Sequence, residues 1–213
     1  MRHSGILAAL VAACTLAACG NSDEAADRRA TFQAGLAALN REEPDGSVIA
    51  AERAYIPVAL QNTDAPLVLV EQPKFDLAAF FALAAVNGPV ASYGSSAQAT
   101  ISLNGPVLVA TRAFGNDLMS SDVGPLPDLL AAREPGQYRR QLRYLDSEEQ
   151  VSSFTVDCDL RPDPDRAQTF TEYCGSAGME FRNSYVFGRD GRVETSVQWH
   201  GPENGYLTVR RLR

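Results

Sequence analysis

Lysine is almost missing from this chain: Lys74 is the single one among 19 basic residues, the rest being arginine. The 26 acidic residues bring the formal charge to -7 and the pI to about 4.9, and no Lys/Arg-rich run offsets them. That balance argues against non-specific nucleic-acid binding, which needs a basic face for the phosphates. The arginine bias itself reads as coding background rather than function. Histidine is equally scarce, with only His3 and His200. A Ser-His-Asp arrangement would therefore rest wholly on His200, which follows Trp199 at a strand end; a structural or solvent-facing role is the plainer reading. No G-x-S-x-G elbow is present, since "YGSSAQ" and "CGSAGM" both miss the spacing. The glycines fall in turns, so no P-loop or dinucleotide fingerprint forms. A glycosidase needs two carboxylates about 5–9.5 Å apart across a cleft, and the loop pairs Glu42-Glu43 and Glu148-Glu149 do not reveal one. These gaps leave no enzyme class with a motif behind it, and no cofactor is expected.

Long apolar runs are also lacking. The uncharged stretch Gly5–Ala18 has 14 residues, too few to span a bilayer but suited to the apolar region of a secretory signal. It ends in Leu16-Ala17-Ala18-Cys19, which matches the bacterial lipobox: small residues before a cysteine whose thiol takes a diacylglyceryl group before cleavage. Cys19 is then the lipidated first residue of the mature chain. The earlier Val11-Ala12-Ala13-Cys14 leaves too short an apolar stretch, and the bland alternative is an ordinary cleaved signal. Each buried CH₂ contributes roughly 0.8 kcal/mol, so several acyl chains anchor almost irreversibly. Gly20 rather than aspartate follows Cys19, which favours the outer membrane over retention in the inner one. Processing removes only Arg2 among charged residues and takes the formal charge from -7 to -8. The expected organisation is a signal peptide (1–18), a polar tether (19–30, "GNSDEAADRRA" and its cysteine) and one domain (31–213). Cys158 and Cys174 remain. In an oxidising compartment they are expected to pair, closing a loop that stabilises the fold by roughly 3 kcal/mol. Zinc is the weaker rival, with His200 the one histidine to help.

What the chain has in abundance is period-two patterning with turn residues as punctuation. A short amphipathic helix is expected over 31–41, where Phe32, Leu36 and Leu39 recur at helical spacing. From about Tyr55 the alternation of strands takes over. "APLVLVEQ" reads as a strand; Asn87-Gly88 and Asn104-Gly105 each sit between apolar alternating runs and predict hairpins. "SSDVGPLPDLLAA" opens on an N-capping Ser or Asp and continues as a helix. "YRRQLRYLD" and "QVSSFTVDCDL" flank a turn at Asp146–Glu149, Asp190-Gly191 divides the next hairpin, and "GYLTVRRL" closes the chain. No βαβ rhythm appears. The fold class is all-β with minor α: an antiparallel meander forming a curved sheet or partial barrel, with short helices near the N-terminus and mid-chain.

Two stretches fit poorly with bland surface or core. In "LVATRAFGNDLMSSD" a buried-looking strand runs into Arg112, and Gly115 permits a sharp turn before Asp117, which can take hydrogen bonds from Arg112 or cap the next segment. The plain alternative is a salt-bridged corner with a hydrophobic plug. In "SVQWHGPENGYLTVRRL" the single Trp199 lies beside a Gly-Pro turn and near Tyr206. Aromatic faces beside arginines suit sugar rings, and core packing explains them equally. Arg112, Asp117, Gln198, Trp199 and Tyr206 are the candidate glycan- or partner-binding residues.

The same stretches resemble the YjbF/GfcB family of bacterial lipoproteins. Arg112, Gly115, Asp117, Leu118 and Met119 fill its V-A-T-R-G-L-G-x-D-L-M turn, while Asn183, Tyr185, Gly191, Ser196, Gln198, Trp199, Gly201 and Pro202 fill its C-terminal pattern. Ala113 replaces the usual glycine, and His200 takes an aliphatic position. The resemblance covers about Phe32 to Leu212. It implies an all-β, barrel-like outer-membrane lipoprotein facing the periplasm, without established catalytic residues. The implied role is accessory, in exopolysaccharide or group 4 capsule secretion and assembly. Its expected partners are the polysaccharide or an outer-membrane β-barrel of the same export system. A carbohydrate-active hydrolase or esterase and a purely structural anchor are the alternatives.

Overall fold

The computed structural model describes residues 46–145 and 150–213, together with position 33. The signal, Cys19, the tether, the 31–41 helix (position 33 apart) and the 146–149 turn lie outside the described residues.

Among the described residues, two α-helices, α1 (Val48–Asn62) and α2 (Leu126–Ala132), and a 3-10 turn (Pro73–Phe75) accompany twelve strands: β1 (Leu67–Gln72), β2 (Leu77–Asn87), β3 (Val90–Gly94), β4 (Thr100–Asn104), β5 (Val107–Arg112), β6 (Leu118–Asp122), β7 (Gly136–Leu145), β8 (Val151–Pro162), β9 (Thr169–Ser176), β10 (Met179–Phe187), β11 (Val193–Gly201) and β12 (Gly205–Arg211). All pair antiparallel in one sheet of order β5-β4-β3-β2-β1-β12-β11-β10-β9-β8-β7-β6. The two outermost strands, β5 and β6, are consecutive in sequence. Register shifts at Leu83/Ala85, Ser102/Leu103, Leu118/Ser120, Val186/Phe187 and Trp199/Gly201 add the bends that help a wide sheet curl. The sheet closes almost fully. Gln198 on β11 reaches the Leu108 amide on β5 at 2.8 Å, although six steps of the sheet separate the two strands.

Both predicted hairpins form, one residue later than Asn-Gly would place them. Asn87 pairs with Val90 and Asn104 with Val107, so the loops are Gly88-Pro89 and Gly105-Pro106. A two-residue hairpin turn with positive φ at its first position needs glycine there, and both glycines sit at φ +57. Proline, locked at negative φ, fits the second position and could not take the first.

The structure corrects the reading of 48–62. Tyr55 belongs to α1, and the strands begin at Leu67. Pro57 sits inside this helix, where it removes one backbone hydrogen bond, and the flanking β-branched residues imitate a strand. Distant groups hold the helix instead. Ser47 accepts from the Ala50 amide, and Asp76, beyond β1, accepts from the Ser47 hydroxyl (2.6 Å) and the Val48 amide (2.9 Å). These bonds, the Ser47 hydroxyl first, hold the Asp76 carboxyl below its usual range. Glu71, wholly buried on β1, accepts from Arg53 of α1 (2.8 Å) and Arg210 of β12 (2.7 Å). The start of α2 is likewise corrected: its N-cap is Pro125, without a side-chain cap, while Asp122 accepts from Gly124 two residues on. Leu126 and Leu130 of α2 pack with Val107, Leu160, Tyr185 and Phe187 at one end of the sheet.

Candidate functional site

The two stretches that stood out in the sequence meet at the seam between β5 and β6. Asp117 closes the five-residue turn there by accepting from the amides of Ala113 (2.9 Å) and Phe114 (3.1 Å) and from the Thr111 hydroxyl (3.0 Å). Arg112 does not pair with it. Its exposed guanidinium turns to the carbonyls of Thr111, Leu118 and Met119, bridging the two edge strands. Phe114 plugs the seam between Phe81 (ring centroids 6.1 Å) and His200 (5.5 Å). From the second stretch, Gln198 accepts from Leu108 N (2.8 Å) and donates to the Pro106 carbonyl (2.9 Å) and the Ser196 hydroxyl (2.9 Å). Asn204 donates to the Asn116 carbonyl.

His200 lies on the same seam, fully buried, with Nε2 2.7 Å from Thr111 Oγ1. A carboxylate carries no hydrogen, so the Thr111 hydroxyl donates to Asp117 and accepts from Nε2–H as well as from the Leu118 amide (3.0 Å). The ring lone pair is then on Nδ1, which has no partner among the described residues. Burial depresses the His200 pKa to about 4, against a smaller opposing pull from Asp117. An activated nucleophile donates its hydrogen to the histidine; here the hydroxyl hydrogen points the other way, inside a sealed core. Asp117, Thr111 and His200 hold the seam together rather than poise it for reaction.

Trp199 and Tyr206 have no face to offer a sugar. Trp199 is 4% exposed, stacked on Phe181 (4.6 Å) with Tyr144 edge-on (5.8 Å), and its amide donates to Asn183 Oδ1 (2.7 Å). Tyr206 is 2% exposed and accepts from the Arg182 amide. Gln198 is buried too, leaving Arg112 as the exposed member of the five candidates, with Asp117 half-buried. In an aromatic-lined strand end beside a bulge, packing between facing walls of the barrel wins over a surface platform.

The sequence reading missed the polar centre of the barrel. Glu172, fully buried on β9, accepts from Arg140 Nη1 (3.0 Å to each oxygen), Tyr138 (3.0 Å), Asn183 (2.6 Å) and Tyr185 (3.1 Å). Burial first, then the Glu172 charge, pushes both tyrosines above their ordinary pKa. The available signal was a charge at an inward position of an alternating strand, as at Arg140 in "YRRQLRY". Cys158 and Cys174 face each other across β8 and β9 and are joined as a disulfide. With Glu172 they form a cluster compact enough for a metal ion. Bonded to one another, the sulfurs offer no thiolate, and Arg140 already holds the carboxylate.

The family model for the group 4 capsule polysaccharide lipoprotein gfcB, YjbF, matches residues 48–212. Among solved structures, the hypothetical lipoprotein YmcC from Escherichia coli (K12) is similar with a TM-score of 0.60 and 15% sequence identity, covering 80% of this chain and 98% of its own. That likeness supports the fold alone. Comparison with curated proteins finds no match. The match, which spans β1 to β12 and takes in both stretches at the seam, shows that the chain belongs to the YjbF family of group 4 capsule polysaccharide lipoproteins.

Proposed function

We propose that this chain is an outer-membrane lipoprotein, acylated at Cys19 with its domain facing the periplasm, that acts as a non-enzymatic accessory in capsule or exopolysaccharide secretion. One observation carries the reading. The motif residues of both stretches are spent on each other inside the barrel, where they fix its shape instead of lining a cleft. Of the two binding modes, a protein partner is favoured over glycan. The aromatic rings that would stack on sugar are enclosed, whereas Arg112 stays exposed on the seam. The partner of matching setting is the outer-membrane β-barrel of the same export system.

The test is cross-linking in intact cells followed by purification of the full chain from membranes, with intact-mass analysis for acyl groups on Cys19. Co-purification of an outer-membrane barrel, reduced by Arg112→Glu at unchanged chain abundance, supports the proposal. Unchanged recovery and unchanged polysaccharide output in that variant would remove it. His200→Leu separates the enzyme alternative: polysaccharide output is expected to persist, and its loss with an intact fold would move the reading to catalysis.

A further inference from the structure

At the end of the barrel away from His200 a cavity of about 340 Å³ opens between the β1–β12–β11 wall and the β3–β4 wall, with α2 along one side. We propose that this cavity binds the hydrocarbon chain of a single-chain amphiphile with an anionic head. Its size falls within the range of small-ligand pockets, about 300–1,000 Å³. Val68, Leu103, Leu130, Phe187, Val193 and Val209 line it. Such walls favour an apolar occupant over water.

The head-group preference comes from the mouth. Arg211 is committed there to Asp190 (2.6 Å) and to the Val193 carbonyl (3.2 Å). Glu194 is turned over the Gly188 turn, its Oε2 only 2.9 Å from where a Gly188 Cβ would stand. Arg192 is exposed and its guanidinium makes no hydrogen bond among the described residues; its charge reaches Asp190 only through space. A cation with unused donors at the mouth of a dry pocket suits a carboxylate or phosphate on the end of an alkyl chain. Tyr93 adds a hydroxyl without a hydrogen-bond partner among the described residues; burial raises its pKa, so it stays a donor.

The experiment uses the full chain in the form the cell makes. A diazirine analogue of dodecanoic acid is added, photolysed, and its attachment sites mapped by mass spectrometry. Saturable labelling is expected at Val68 and within 93–106, 127–131 and 187–211. Leu103→Trp, which fills the cavity, and Ala131→Trp, on the exposed side of α2 at the mouth, should each cut labelling about tenfold. The second variant keeps the test valid if the first does not fold. Laurate should compete at about fivefold lower concentration than dodecyl maltoside, and Arg192→Glu should erase that difference. Non-saturable labelling, sites elsewhere, or wild-type labelling in a folded tryptophan variant would overturn the site; equal competition by the two amphiphiles would overturn the anionic head.

Discussion

Replacing Glu172 by glutamine keeps the size of the side chain and removes its charge. Arg140 is 3% exposed and would be left as an unpaired buried cation. Removing one partner of a buried ion pair costs about 3–5 kcal/mol. The amide NH₂ of the new side chain would also face groups that all donate: Arg140, Tyr138, Asn183 and Tyr185. Against a total stability of about 5–15 kcal/mol that is a large fraction. For a domain of this size it lowers Tm by about 6–20 °C. Trp199, the single tryptophan, is stacked in the core and gives a fluorescence signal for urea unfolding, with circular dichroism for the thermal transition. The double variant Glu172→Leu/Arg140→Met removes both charges and should recover at least about 1 kcal/mol relative to Glu172→Gln. A loss below about 1 kcal/mol for Glu172→Gln would refute the claim that this carboxylate is the hub of the interior.

Three further outcomes are expected. Ala113 has φ +67, where a Cβ is strained, so Ala113→Gly should raise stability by about 1 kcal/mol in the same urea assay. As pH falls below 6.5 the unfolded chain protonates His200 first while the folded chain resists to about 4, so about 3 kcal/mol of stability should be lost across that window; in His200→Leu this part of the pH profile should flatten. Reducing the Cys158–Cys174 disulfide, 16 residues apart, should lower stability by about 3 kcal/mol in matched oxidised and reduced melts.

Local rules made most strands legible. Hairpins at 87–90 and 104–107 follow from glycine and proline chemistry within four residues, and β7, β8 and β10–β12 from alternation. What depends on partners far along the chain was not. The cap of α1 comes from Asp76, 29 residues from Ser47, and overrides a strand-like pattern around Pro57. β6 and β9 lack a clear alternating signal, and β9 carries its charge inward because Arg140 awaits it, 32 residues away. The candidate stretches were found, but which side of the sheet their aromatics take was not. The bulge at Trp199–Gly201 and the packing on Phe181 decide that, and both are tertiary.

The first and last of the described strands, β1 and β12, lie side by side in the middle of the sheet order. Residues before the seam supply one arc and residues after it the other; the arcs are joined covalently at the seam, by a strand ladder where β1 meets β12, and by side-chain hydrogen bonds such as Gln198 to Leu108 and Thr111 to His200. Closure must wait until β12 is free to pair with β1. A chain cut short before Gly205 would keep two half-rings hinged at 113–117 and expose the amide rows of β1 and β11. A chain lacking its last strand would thus be open to proteolysis, and only molecules that close the ring would persist.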